Sequence, residues 1–489
     1  MNEILMLFLI LLPFAAGLVL PALKLKNRTG KCLLIFAVLM LEAVGAVCLL
    51  LADSAELTLF SMTDTLTVAL RMDGISKLFM MIAAFGFLFA GAFAFRYMEH
   101  SEKEDSFFAF YLLSLGALMG MDFSKNLITM YLFFETLTLL SMPMVLHDRT
   151  KESIRAALKY LFYSIAGAFL ALCCIFFLAR YSTTLDFSVG GSLDAAKVSG
   201  HESLLLVVIF LGVIGFGAKA GMYPLHGWLP TAHPVAPAPA SAVLSGIIAK
   251  AGVLAILRIV YFSVGTGFLA GTWVQYAWLG LSLLTVFMGS MMAYREKIFK
   301  KRLAYSSVSQ ISYVLTGLFL MTATGVLGGL LHIVFHAAIK VCLFLVAGSF
   351  IFNTGKHSVE EYRGIGRTMP KTLWGFTLAS LALIGIPPFS GFVSKWYLAS
   401  GALDSGLPVY SWLVPVVLLV SALLTAGYLL PITVSGFFPG KDFEAQERTK
   451  EGGTVMWLPV VLLSAITLLL GIFAGPLAEV LSALAYSLI

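Results

Sequence analysis

Apolar residues run along this chain in long blocks separated by short polar links. The blocks fall at about 4–22, 31–52, 73–95, 106–122, 125–146, 156–180, 202–222, 240–262, 268–292, 303–321, 326–352, 371–400, 409–437 and 455–487. Each is close to or above the ~18 residues that read as a spanning helix. Long continuous runs predict helices, because the strands of a transmembrane barrel show short segments of alternating polarity. The link at 53–70, DSAELTLFSMTDTLTVAL, does alternate, and it predicts a small hairpin outside the membrane. The expected fold class is an all-α polytopic membrane protein of about fourteen transmembrane helices. It forms a single integral membrane domain over 1–489. The first block has no basic n-region and no small-residue cleavage site, so it reads as a spanning helix and not a removed signal.

Two blocks are interrupted. The seventh reads GVIGFGAKAGMYPLHGWLP and the twelfth LALIGIPPFSGFVSKWYL. Proline removes a backbone donor and glycine lowers the cost of unwinding. Broken helices at membrane depth occur where the backbone is buried in protein or lines a wet cavity. Matching interruptions five helices apart predict two five-helix repeats. The first covers 106–262 (helices 4–8) and the second 268–437 (helices 9–13), with a C-terminal helix at 455–487. An odd number of crossings per unit makes the repeats inverted.

Composition agrees. The chain is 60% hydrophobic and 12% charged, against roughly 25% charged in soluble domains. Its formal charge of +6 sets orientation and gives no sign of nucleic-acid binding, since no basic run is interleaved with aromatics. Basic residues cluster in alternate links: Lys24, Lys26, Arg28 and Lys31; Arg96 and Lys103; Arg149, Lys151, Arg155 and Lys159; Arg295, Lys297, Lys300, Lys301 and Arg302; Lys356, Arg363, Arg367 and Lys371; Lys441, Arg448 and Lys450. The opposite links and helix ends hold only Arg71, Lys77, Lys125, Arg180, Lys197 and Arg258. This bias puts the first set in the cytoplasm and both termini outside it. The cysteines form no C-x-x-C pair, so no disulfide framework or iron–sulfur ligand set is indicated.

Four lysines fall deep inside apolar runs: Lys219, Lys250, Lys340 and Lys395. Glu135 lies at the middle of the fifth helix. Unpaired and dry, these five charges would cost on the order of 15 kcal/mol. They must pair, shed protons or meet internal water. Burial disfavours an ammonium and a nearby carboxylate favours it, so an amine held between the two can take and release a proton. Glu135 is the expected partner of Lys219, with a static ion pair as the alternative. On the eleventh helix His332, His336 and Lys340 recur at spacing four, which stacks them on one face at ~5–6 Å intervals. They suit a proton relay. Buried histidines that only satisfy hydrogen bonds are the alternative, and a metal site lacks a third ligand. Ser306, Ser307, Ser309, Gln310 and Ser312 give the tenth helix a polar face. His226 and His233 flank the link after the broken seventh helix and are candidate relay groups. Glu42, in the second helix, has no assignable partner.

The stretches LFFETLTLLSMP, AKAGMYPLHGWLPTAHPVAPAPASAVLSGIIAKAG, KKRLAYSSVSQISYVLTG, HIVFHAAIKVCLFLVAG and GIPPFSGFVSKW resemble the antiporter-like membrane subunits shared by respiratory complex I, Mrp-type sodium/proton antiporters and membrane-bound hydrogenases. The resemblance runs from about 70 to 435. It implies the fourteen-helix core with inverted repeats and a proton path of Glu135, Lys219, Lys250, His332, His336, Lys340 and Lys395. It implies no cofactor in this subunit, with iron–sulfur or flavin groups only in partner subunits. The partners implied are other antiporter-like and small membrane subunits, a redox module and the lipid bilayer.

The function expected is proton translocation within a multisubunit energy-coupling complex of the prokaryotic cytoplasmic membrane, either a complex I-like oxidoreductase or a membrane-bound hydrogenase. The stretch YPLHGWLPTAHPVAPAPASAVLSG looks more like those members than like the D-type member of Mrp antiporters. A proton loads Lys250 from the cytoplasmic side, charge moves at Glu135–Lys219, and the proton passes along His336, His332 and Lys340 to Lys395. Rival readings are an Mrp-type Na+/H+ antiporter subunit, an autonomous secondary transporter of an organic solute, and a scaffold with a vestigial path.

Overall fold

The computed structural model describes residues 1–23, 27–63, 66–440 and 450–489. Four residues used above for orientation, Lys24, Lys26, Lys441 and Arg448, lie outside the described residues. The chain begins with α1 (Asn2–Leu23) and α2 (Arg28–Leu50), then the antiparallel hairpin β1 (Ala55–Ser61) and β2 (Thr67–Met72). There follow α3 (Gly74–Tyr97), α4 (Glu104–Asp122), α5 (Leu127–Val145), α6 (Lys151–Tyr181), a single turn α7 (Ala195–Val198), and the interrupted pair α8 (Glu202–Ala220) and α9 (Leu229–Val235). The stretch 238–264 is α10 (Ala238–Val243), a π-helical turn Leu244–Ile248, α11 (Ala249–Leu257) and a second π-helical turn Arg258–Val264. After α12 (Thr266–Leu269) come α13 (Trp273–Arg295), α14 (Phe299–Phe319), α15 (Ala323–Thr354), the second interrupted pair α16 (Pro370–Ile384) and α17 (Ser390–Leu403), α18 (Tyr410–Phe437), α19 (Thr454–Ile472) and α20 (Ala474–Leu488).

Eleven of these stretches are long and apolar enough to cross a membrane, so the protein is a multi-pass, all-α membrane protein. The hairpin forms where the alternation predicts it. The block at 455–487 is two helices and not one. Pro476 cannot donate the hydrogen bond that would continue α19, and it fits instead in the first turn of α20. The stretch 238–264 is wholly buried, while α6 and α18 turn rows of large apolar side chains outward, among them Phe162, Phe169, Phe176, Leu419 and Leu423.

Both interruptions appear where proline and glycine predict them. α8 ends on Gly221 (φ 79°) and α16 on Gly385 (φ 88°), left-handed conformations that glycine adopts without a steric penalty. Close approach also needs Gly252. A Cβ there would sit 2.7 Å from the Phe216 carbonyl oxygen, so this glycine lets α11 pack directly on α8.

Alternate links gather at two faces. On one, Lys31 reaches Glu104 at 2.6 Å and Lys297 reaches Glu360 at 2.9 Å. On the other, Lys125 meets Glu56 at 2.8 Å and Arg71 donates to the Phe187 carbonyl at 2.6 Å. Arg258, counted above among the links and helix ends, is not a solvent-facing residue. It sits inside the second π-helical turn, 2% exposed, with its guanidinium bidentate on Asp73 at 2.6 and 2.8 Å. It also donates to Ser76 Oγ at 3.1 Å and lies against the rings of Phe187 and Phe262. Burial raises the Asp73 carboxyl, but the Arg258 charge and hydrogen bonds, the Ser76 N–H and Arg71 overcome it and hold the group at about 2.

Asp73→Asn leaves Arg258 buried without its counterion, and the expected loss is about 3 kcal/mol, read as a lower unfolding midpoint in lipid nanodiscs. The folded value near 2 lies below the unfolded carboxyl value of about 3.9. The contribution is therefore complete above about pH 4 and fades as pH falls through 2. The midpoint gap between the wild type and the variant should be flat above that range and shrink below it.

Candidate functional site

The five charges singled out from the sequence, together with two histidines, resolve into two groups. In the first, Lys219 near the end of α8 is 1% exposed. Its Nζ donates to the Phe134 carbonyl at 3.0 Å and to Thr138 Oγ1 at 2.7 Å, and it lies 4.2 Å from the centre of the Phe134 ring. All three contacts come from α5, around Glu135. Among the described residues no ion pair joins Lys219 directly to Glu135. The two are within electrostatic reach, but Glu135 Oε1 is buried and accepts no hydrogen bond. The expected contact pair is therefore a near pair, with Thr138, one turn on from Glu135, taking the amine.

The second group holds Lys250, Lys340, His336, His332 and Lys395. Lys250 Nζ donates to the Ser245 carbonyl at 3.0 Å, within the first π-helical turn. Ser245 Oγ in turn lies 2.5 Å from Ser307 Oγ on α14. A π-turn locally rearranges the helix hydrogen bonding, and such turns concentrate at functional sites. Lys340 Nζ donates to the Leu303 carbonyl at 3.0 Å and to Ser306 Oγ. His336 is completely buried, and neither ring nitrogen has a protein partner. It lies in the field of Lys250, Lys340, His332 and Lys395. Its ring is nearly parallel to that of His332, with centroids 5.9 Å apart, as the spacing of four predicts.

His332 is held at both ends, Nδ1 2.8 Å from Ser394 Oγ and Nε2 3.1 Å from Gln310 Oε1. A neutral imidazole so placed donates at one nitrogen and accepts at the other, the arrangement a proton relay needs. Its ring also stacks on Tyr313 at 5.4 Å, and Lys395 Nζ lies 5.2 Å from the centre of that same ring. Lys395 Nζ donates to the carbonyls of Leu383 and Ile384, both at 2.7 Å. These are carbonyls that the end of α16 leaves without an intrahelical donor.

The two candidate relay histidines differ. His226 is half-buried beside Tyr223 in the link between α8 and α9. His233, on α9, is completely buried, lies tilted against the Phe344 ring of α15 with centroids 4.8 Å apart, and has no partner at either nitrogen. Glu42 is also fully buried with both oxygens unpartnered. Sequence reasoning missed Thr138, Tyr313, Ser394 and Trp228. Thr138 and Ser394 stand within one turn of a flagged charge, and that proximity was the available signal. Trp228 Nε1 donates to the Ala218 carbonyl at 2.7 Å and so caps the broken α8; no local pattern announces it.

Residues 124–425 match a family model described as NADH:quinone oxidoreductase/Mrp antiporter, TM. The chain is 32% identical over 417 residues to the N subunit of the NADH-quinone oxidoreductase of Desulforudis audaxviator, covering 81% of this chain and 80% of the relative. It is 30% identical to hydrogenase-4 component B of Escherichia coli over 446 residues, 86% of this chain and 64% of the relative. It is 29% identical to the D-type member of the Na(+)/H(+) antiporter of Alkalihalophilus pseudofirmus over 392 residues, 79% and 76% of the two chains. Its fold matches a chain of an archaeal membrane-bound sulfane sulfur reductase with a TM-score of 0.87 at 23% identity, covering 99% of this chain and 97% of that one. It matches a chain of the Mrp complex from Dietzia sp. DQ12-45-1b with a TM-score of 0.86 at 23% identity, covering 100% and 97%.

Trp228→Phe keeps the ring against Tyr160 and removes the donor to Ala218. The carbonyl keeps only the longer 3.2 Å bond from the Gly221 N–H, and the lost indole hydrogen bond is worth about 1 kcal/mol. The expected outcome is a lower unfolding midpoint together with faster amide hydrogen exchange across residues 217–222.

Proposed function

The chain belongs to the NADH:quinone oxidoreductase/Mrp antiporter transmembrane family, and from that premise we propose that it is a proton-translocating, antiporter-like subunit of a complex I-like oxidoreductase or membrane-bound hydrogenase. The single observation that carries the reading is the cluster of Lys250, Lys340, His336, His332 and Lys395. These titratable groups lie in the membrane interior, are in electrostatic contact, and their hydrogen bonds run only to hydroxyls, carbonyls and one amide. Such a row carries hydrogen ions and offers no cage of oxygen ligands for a metal cation.

In this mechanism a proton from the cytoplasmic side loads Lys250. His336, His332 and Lys340 share it, and Tyr313 brings Lys395 beside His332 for release on the far side. Buried imidazoles without protein partners are commonly satisfied by ordered water, which supplies the connecting hydrogen bonds. Glu135 and Lys219 form the control element. Thr138 and the Phe134 carbonyl hold the amine just short of the carboxyl, so a small displacement makes or breaks a true ion pair. Such a change alters the field along the row. Redox chemistry, with its iron–sulfur or flavin groups, belongs to partner subunits.

The architecture we propose is fourteen crossings built as two inverted five-helix repeats. Support comes from the matching breaks α8–α9 and α16–α17, each the fourth crossing of its unit and each closed by a left-handed glycine. The basic face is assigned to the cytoplasm, which places both termini outside it. An Mrp-type antiporter subunit is the second reading, favoured by 29% identity to a D-type Mrp member. Subunits co-purifying with the chain, a hydrogenase or dehydrogenase module as against further antiporter subunits, decide between the two.

Lys219→Ala should leave the assembled complex intact and reduce coupled proton translocation at least tenfold in everted membrane vesicles. The partner's driving reaction should slow or uncouple. Wild-type proton stoichiometry in that variant would remove Lys219 from the mechanism, and normal stoichiometry in Lys250→Ala as well would leave the chain a scaffold.

A further inference from the structure

We propose that Lys300 is itself a proton carrier, forming the floor of a polar mouth on the basic face and passing protons through His233 to Lys340. The inference rests on the ion-path reading above and adds an inlet to it.

A cavity of about 340 Å3 opens on that face, and its polar lining includes His100, Ser101, His147, Asp148, Lys300 and His357. The walls come from the link after α3, the link after α5, the end of α9, the first turn of α14 and the end of α15. The mouth is rich in groups that exchange protons with water. His147 Nε2 lies 2.8 Å from Ser101 Oγ, and His100 stacks on Phe352. Burial holds the His147 imidazole below its ordinary value; Asp148 opposes this, while Lys103 and Arg149 reinforce it. The ring is thus neutral at physiological pH and can accept a proton.

Lys300 reads in the sequence as one of a run of basic residues in a link, yet it is only 4% exposed. Its Nζ donates to the Pro234 carbonyl at 3.2 Å and to the Ala236 carbonyl. On the mouth side it feels the carboxylate of Asp148. On the inner side stands His233, with both nitrogens unpartnered, in the fields of Lys300 and Lys340. Lys340 is in turn the charged neighbour of Lys250. The order from water inward is mouth, Lys300, His233, Lys340. It reaches the row without touching Lys219, whose own contacts all lie on α5.

Each step exchanges one N–H bond for another. An N–H of the Lys300 ammonium breaks as one forms at His233. The opposite N–H of the imidazolium breaks as one forms at the Lys340 amine. Lys300 then recovers a proton from the mouth. No electron moves and no co-reactant is required.

A competing account makes Lys300 a fixed cap for the last carbonyls of α9. A cap needs only a permanent cation, whereas a carrier must lose its charge. Arginine keeps the charge and the donors and does not deprotonate in proteins. Lys300→Arg in the whole membrane complex is expected to assemble normally and to lower proton translocation in everted vesicles at least tenfold. Translocation within twofold of wild type would overturn the proposal. If Lys300→Arg does not assemble, His233→Gln decides. It keeps a polar side chain of similar reach but holds no transferable charge, so a comparable loss supports the inlet and normal translocation overturns it. Lys250→Ala in the same vesicles separates the inlet from the path it feeds. If it translocates normally, the ion-path reading itself has failed. If it is inactive while Lys300→Arg and His233→Gln are normal, only the inlet has failed.

Discussion

A backbone carbonyl released inside a bilayer must find a donor, because no solvent is at hand to provide one. The rest of this structure follows from how that demand is met at two helix breaks. At α16 the freed carbonyls of Leu383 and Ile384 are taken by the Lys395 amine, and at α8 the Trp228 indole adds a 2.7 Å bond to the Ala218 carbonyl, which otherwise has only the 3.2 Å bond from the Gly221 N–H. The carbonyls at the end of α9 are taken by Lys300. Lysine in this role does two things at once. It repairs the backbone, and it installs an ionisable amine where an apolar helix would hold none. The negative end of a helix dipole also steadies a cation placed there. The cost of burying these charges is thus partly met by the damage that made room for them.

The same logic explains the polar dress of α14. One of its hydroxyls takes an amine directly and a second is tied to the turn that holds another. Ser306 and the Leu303 carbonyl receive Lys340, while Ser307 is linked through Ser245 to the turn that holds Lys250. Gln310 fixes His332. α14 therefore behaves as a hydrogen-bonding spine, packed between α13 and α15. Helix packing alone would be served as well by alanine and glycine.

Much of this was legible in the chain because the strongest signals are local. The breaks were written in Gly221 with Pro224 and in Gly385 with Pro387 and Pro388, and the stacking of His332 on His336 followed from a spacing of four. The deep lysines stood out because each interrupts a long, largely apolar run. What escaped was set by distant partners. Arg258 and Lys300 look like helix-end residues, since each stands near a block boundary. Only the approach of Asp73 from the start of α3, and of the α9 carbonyls, shows them to be buried and bound. Glu135 and Lys219 are close in space as expected. Thr138 intervenes, and no pattern in one sequence says which of two acceptors an amine will choose. The division of 455–487 turned on Pro476, which a hydropathy window averages away.

The balance of buried charges constrains how such a row must work. The amines Lys219, Lys250, Lys300 and Lys340 are buried and Lys395 is half-buried, while Glu135 is the carboxylate within reach of Lys219 and none acts on Lys250, Lys340 or Lys395. Two positive charges ~7 Å apart at an effective dielectric of about 20 repel by roughly 2–3 kcal/mol. The second proton on a neighbouring pair is therefore held about a hundredfold less tightly than the first. A row built this way does not fill; it passes a small number of charges from place to place, and adding one at the end pushes another along. Pairing every amine with its own carboxylate would remove the repulsion and also the push. The scarcity of acids beside the row is then a working property of it, and Glu135 can act as a control because no other carboxylate competes with it there.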